Sequence, residues 1–147
     1  MTKSDRARPI VKLAQNREDA AARIFADSQR VLQERELRLA EVCRYRCEYL
    51  ENYQTRSRIG MSAQQLRTYR NFLHKLDMAV EQQEQLVQIA QYELEQQQAR
   101  WKEKHVRTQA LDNMRARYVG QERREAQRGE QKESDERGLR RSHSDES

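Results

Sequence analysis

The chain is short of the residues that make turns. Its 147 residues include 4 glycines and 1 proline. Sandwiches, barrels and βαβ folds need many turns, and turns consume both residue types. Those folds are therefore excluded. Apolar residues make up 35% of the chain, below the usual 45–50% or so. A thick globular core is excluded with them. No apolar run exceeds three residues, so no segment reads as a membrane span. The basic N-terminus has no apolar stretch behind it, so no secretory signal is expected. Two cysteines, Cys43 and Cys47, make no disulfide framework.

What is present is charge and helix formers. Charged residues reach 36%, with 29 basic against 24 acidic side chains and a net charge of +5. The signs are mixed, unlike the one-sided charge of most nucleic-acid binders. Abundant Ala, Glu, Gln, Lys, Arg and Leu favours long helices.

Residues 1–8 read as frayed. Pro9 suits the first position of a helix, where its missing N–H costs nothing. From there a stripe spaced by three and four residues runs Ala21, Phe25, Ser28, Leu32, Arg35, Leu39, Val42, Arg46, Tyr49, Tyr53. Ile24, Val31 and Tyr45 flank it and are expected to widen it. Gly60 then interrupts, and Ser62-Ala63-Gln64-Gln65 has the form of a capping box. A break is expected here, although one glycine can be absorbed within a continuous helix at a cost of ~1 kcal/mol. A second stripe runs Leu66, Tyr69, Leu73, Leu76, Val80, Gln83, Val87, Ala90, Leu94, Gln97, Trp101, Lys104, Thr108, Leu111, Arg115, Tyr118. A period near 3.5 held over this length means coiled coil.

A short link makes the two helices antiparallel neighbours. The expected fold is all-α, two long helices forming an antiparallel coiled-coil hairpin. Helix one spans about 9–57, the turn about 58–61 and helix two about 62–128. Residues 129–147 read as a disordered polar tail, because they hold too little apolar surface to order themselves. With Tyr53 facing Leu66, paired residue numbers total about 119. Phe25 then meets Leu94, and Arg35 meets Gln83 in a polar layer of the kind that pins register. The expected hairpin is ~75 Å long at ~1.5 Å per residue.

Catalysis finds no support in the residues. His74, His105 and His143 are far apart, no glycine-rich phosphate loop occurs, and a two-helix hairpin offers no deep cavity. Cys43 and Cys47 share a helix face near His74, but a metal site would need a fourth ligand. They read as two reduced thiols, and no cofactor or metal is expected. The aromatics say more. Tyr45, Tyr49 and Tyr53 recur every four residues, with Tyr69 and Phe72 across the turn. A narrow seam cannot absorb all five. The surplus marks a partner-binding face, or else a wide seam or a homodimer interface. Residues 100–128 carry nine basic and four acidic side chains. This basic end is a solvated face, a surface for a protein partner, or a coat for phosphates without sequence reading.

The pattern Tyr45-x-x-x-Tyr49, a short linker, Ser62, then Tyr69-x-x-Phe72-x-x-x-Leu76-x-x-Ala79 resembles the flagellar export protein FliJ family. Trp101 before a basic stretch and Leu13-Ala14 through Asp19-Ala20-Ala21 agree with it, so the resemblance covers about residues 10–120. It implies a non-catalytic, stalk-like coiled coil of the flagellar type III export apparatus. The implied partners are the export ATPase FliI with its regulator FliH, the gate protein FlhA and export chaperones. Nucleic acid is not among them. The implied place is the cytoplasmic face of the inner membrane at the flagellar base, reached only through partners. The gate-contacting patch maps to Arg38, Val42, Tyr45, Tyr49, Phe72, Leu76, Ala79 and Gln83. The residues facing the ATPase ring map to Lys12, Arg107, Arg115, Arg117, Arg123 and Arg124. Leu13, Trp101, Leu111 and Tyr118 are expected to stiffen that end. A homo-oligomeric scaffold and a basic nucleic-acid-binding helix pair remain the rival readings.

Overall fold

The computed structural model describes residues 1–146. The chain is all-α and forms a hairpin of two long helices, α1 (Lys3–Ile59) and α2 (Ala63–Asp145). The turn between them is three residues. Gly60 ends α1 at φ +113°, and its N–H donates to the Arg56 carbonyl at 3.1 Å. That left-handed backbone is where glycine is favoured as a helix stop. The restart uses the capping box: Gln65 N–H donates to Ser62 Oγ, and Ser62 N–H donates to Gln65 Oε1, both at 3.1 Å.

Contacts divide the chain into two compact units. One is Ala21–Trp101, which holds the turn. The other is Met1–Ala20 with the chain from Lys102 onward, which holds both termini.

In the turn unit, every stripe position from Ala21 to Tyr53 and from Leu66 to Trp101 is buried or half-buried. Ile24, Val31 and Tyr45 do not widen the seam; they are 51%, 39% and 51% exposed. A two-helix contact is a strip, and positions one step to its side meet water. The pairing also differs from expectation. Phe25, expected opposite Leu94, stacks on Trp101, with ring centroids 6.2 Å apart. Tyr53, expected opposite Leu66, meets the Tyr69 ring at 5.6 Å. The expected pairing of Tyr53 with Leu66 totals 119, whereas the helix ends, Ile59 and Ala63, total 122. Long side chains then lean toward their own helix N-terminus, which lets rings meet away from their Cα levels. The Gln83 Oε1 atom is buried with no hydrogen-bond partner.

In the terminal unit, α1 starts at Lys3, not at Pro9. Thr2 and Asp5 form a second capping box. Asp5 N–H donates to Thr2 Oγ1 at 3.2 Å, and Thr2 N–H donates to Asp5 Oδ2 at 3.3 Å. The seam continues back from Ala21 through Glu18, Ala14, Val11, Ala7 and Ser4, none of them exposed. Small side chains there let two backbones approach closely. Ala7, Val11 and Ala14 are among the most buried residues of the protein, at 3%, 3% and 7% exposure.

The segment expected to be a disordered tail is helical as far as Asp145. It contains good helix formers, and local pairs support it: Glu133 with Arg137 at 3.5 Å, and Gln131 with Asp135 at 3.2 Å. It has no apolar seam, as its composition implies, since every described residue after Glu122 is exposed. Ser147, the last residue of that expected tail, lies outside the described residues.

Candidate functional site

The turn unit carries a ladder of five rings. Tyr45 meets Phe72 edge-on at 6.4 Å, with an 81° interplanar angle. Phe72 meets Tyr49 at 4.7 Å, Tyr49 meets Tyr69 at 5.1 Å, and Tyr69 meets Tyr53 at 5.6 Å. The four-residue spacing on α1 and the three-residue step on α2 stack these side chains along facing rows. Burial pushes the Tyr49 hydroxyl above its ordinary pKa, with Tyr69 and Tyr45 adding to the effect. Arg46 Nε donates to Asp77 Oδ1 and ties the same two helices.

The eight residues mapped to the gate patch all lie in this unit, but they differ in role. Arg38 and Tyr45 are exposed. Val42, Tyr49, Phe72, Ala79 and Gln83 are half-buried. Leu76 is 8% exposed, so its side chain is spent on packing. The structure thus joins Tyr45, Tyr49 and Phe72 by direct ring contact. Arg38 lines an open groove along α1 with Val31, Glu34 and Leu37, and Ala79 lines another along α2 with Lys75 and Met78. Each groove belongs to a single helix surface, which cannot close over a substrate.

All six residues mapped to the ATPase ring lie in the terminal unit. Lys12, Arg107, Arg117, Arg123 and Arg124 are exposed. Arg124 Nε donates to the Gly120 carbonyl at 3.3 Å. Arg115 is half-buried in the seam, and its Nε has no hydrogen-bond partner. Of the four expected stiffeners, Leu111, Tyr118 and Trp101 are half-buried, whereas Leu13 is 51% exposed.

Two polar clasps in this unit were not foreseen. The Glu18 carboxylate pairs with His105 Nδ1 at 2.6 Å. Glu122 accepts from the Ser4 N–H at 3.0 Å and from the Ser4 hydroxyl at 2.6 Å. Carrying the three-and-four count back from Ala21 would have found Glu18 and Ser4. The His105 hydrogen bond holds the Glu18 pKa below the ordinary glutamate range. The Ser4 hydroxyl does the same for Glu122, and the Thr2 hydroxyl for Asp5. A carboxyl with a depressed folded pKa stabilises the fold above its unfolded pKa. That contribution fades as pH falls through the folded value. Acidification below the ordinary carboxyl range should therefore loosen the terminal unit before the turn unit, seen as earlier loss of amide protection in residues 3–20. Simultaneous loss in both units would refute the assignment.

Cys43 and Cys47 are exposed free thiols, with Cys47 Sγ 4.0 Å from Glu51 Oε1. Among the described residues, no three His, Cys, Asp or Glu side chains gather as a metal site requires. No helix of the described residues is long and apolar enough to cross a membrane.

The fold defines a class: an all-α helical hairpin, with an aromatic ladder in one unit and exposed basic side chains in the other. The family follows from the whole chain. Residues 3–147 match the family described as the Flagellar FliJ protein, and the chain belongs to that family. It is thereby a component of the flagellar export apparatus. No curated protein matches the chain, and no solved structure does.

Proposed function

We propose that the chain is a non-enzymatic coupling element of flagellar protein export. Its terminal unit engages the export ATPase FliI and promotes ring assembly, alongside FliH. Its turn unit engages the gate protein FlhA, and export chaperones bind the same hairpin. The observation that carries this reading is Tyr45, a half-exposed ring resting edge-on against Phe72 within a chain of the FliJ family. An aromatic that spends half its surface on water is a ready anchor for a partner. The arginines of the terminal unit supply the second contact, since charge steers association and sets partner orientation.

The test is ATP hydrolysis by the export ATPase with and without this protein. Wild type should stimulate it, and Arg117→Glu with Arg123→Glu should abolish most of the stimulation. Both positions are exposed, so helicity should stay unchanged. Full stimulation by that variant would remove the terminal unit from the contact.

A further inference from the structure

Beyond the arginine-rich stretch, the terminal unit holds a small cleft of about 50 Å³ between its two helical segments. Ile10, Leu13 and Ala14 from α1 and Leu111 from α2 supply apolar lining. Arg17, Lys104 and Arg107 stand around them.

Two features of this cleft call for an occupant. Ile10 and Leu13 are 53% and 51% exposed, while their neighbours Val11 and Ala14 are nearly covered. Two branched aliphatic side chains therefore stand beside the seam rather than in it. The three cations, Arg17, Lys104 and Arg107, are also outside every ion pair of the described residues, in a chain with 24 acidic side chains. Glu18, the acidic seam residue next to Arg17, is already held by His105. An apolar floor within a ring of one charge sign is the anatomy of an interface core and its rim.

We propose that this cleft docks a short acidic amphipathic segment of a partner protein. An aliphatic side chain of that segment seats among Ile10, Leu13 and Leu111, and flanking carboxylates meet Arg17, Lys104 and Arg107. The proposal rests on the reading that the terminal unit engages the export ATPase, and it supplies the chemistry of that contact. Docking is then an anchored fit, not a diffuse attraction between arginines and an acidic surface.

The experiment measures binding of the full-length chain to the purified export ATPase at two salt concentrations. The variants are Leu13→Ser and Arg107→Glu in the cleft, with Arg117→Glu/Arg123→Glu as the control outside it. Each cleft variant should weaken binding by about tenfold, as for one anchor or one paired charge at an interface. Leu13→Ser should keep the wild-type salt dependence, and Arg107→Glu should reduce it. Melting by circular dichroism should not change, because both side chains are largely exposed. Wild-type affinity in both cleft variants, with loss only in the control, would overturn the cleft and leave the docking reading standing. Absence of binding by the wild type would overturn both. A fall in the sedimentation coefficient of the free Leu13→Ser chain would make the occupant a second copy and overturn the proposal. Equal loss of duplex DNA binding in the cleft variants would assign the cations to phosphates and overturn it as well.

Discussion

Tyr45→Ala should weaken binding to the gate protein FlhA by about tenfold, the usual cost of truncating an aromatic anchor. Helicity and melting should barely move. The reason is its exposure: the ring is 51% open to solvent and has one aromatic contact, edge-on with Phe72. Leu76→Ala should do the opposite. Leu76 is the largest apolar side chain among the buried described residues, and truncating a buried leucine costs about 2–5 kcal/mol. Its effect on gate binding should follow the loss of fold and disappear where the variant is still folded. Tyr49 and Phe72 fall between these extremes. Tyr49 touches two rings, Tyr69 and Phe72, and each such pair is worth about 0.5–1.5 kcal/mol beyond burial. Its truncation should therefore lower both stability and gate affinity. Calorimetric titration beside thermal melts separates the outcomes. Unchanged gate affinity in Tyr45→Ala would end the patch assignment. Weakened affinity in a fully folded Leu76→Ala would mean that Leu76 is a contact rather than a packing residue.

Much of this architecture was legible in the residues, for a simple reason. A two-helix contact is a one-dimensional object, and its strip is written directly as a three-and-four spacing. Every position of both stripes, from Ala21 to Tyr53 and from Leu66 to Tyr118, is buried or half-buried. What failed was the placement of ends. Small seam residues such as Ala7 and Ala14 carry little hydrophobic signal, so the spacing alone marks the strip only from Ala21. Pro9 looked like a first helical residue because proline marks helix starts more often than helix interiors. The helix ends total 122 where 119 is expected, so Phe25 reaches Trp101, beyond its expected partner, while Tyr45 with Phe72 and Tyr49 with Tyr69 stay close to the expected register. The tail illustrates a different limit. A polar segment without a seam can still be helical, because backbone hydrogen bonds need no partner helix.

The two surfaces were legible to different degrees. The aromatic ladder followed from spacing, since rings four apart on one helix and three apart on the other must face one another. The cleft around Leu13 did not. Its signal is exposure, and exposure depends on where the opposing helix passes. Leu13 lies beside Ala14, and the three-and-four count back from Ala21 puts Ala14 in the seam, but how far Leu13 stays open depends on where α2 passes.

Pro9→Ala should stabilise the terminal unit by about 2–3 kcal/mol, close to the full cost of a proline inside a helix. Pro9 is the seventh residue of α1, so the Asp5 carbonyl lacks its ordinary helical donor. The side chain is exposed, and alanine would remove no packing. The turns before Pro9 form despite this cost because several contacts hold them. Thr2 and Asp5 cap the start, Ser4 is clasped twice by Glu122, and Ala7 is 3% exposed. Amide exchange in residues 3–8 should slow at least tenfold in Pro9→Ala, since a tenfold change needs only about 1.4 kcal/mol. Glu122→Ala should act in reverse. It removes both clasps to Ser4, and the helix should fray back to Pro9, where proline is tolerated as a first helical residue. Residues beyond Leu13 should keep their protection in that variant. The start at Pro9 and the start at Lys3 are then two states of one segment, separated by the Glu122 clasp. If Pro9→Ala leaves exchange in residues 3–8 unchanged, the chain before Pro9 is not helical in solution, and the clasp does not hold it.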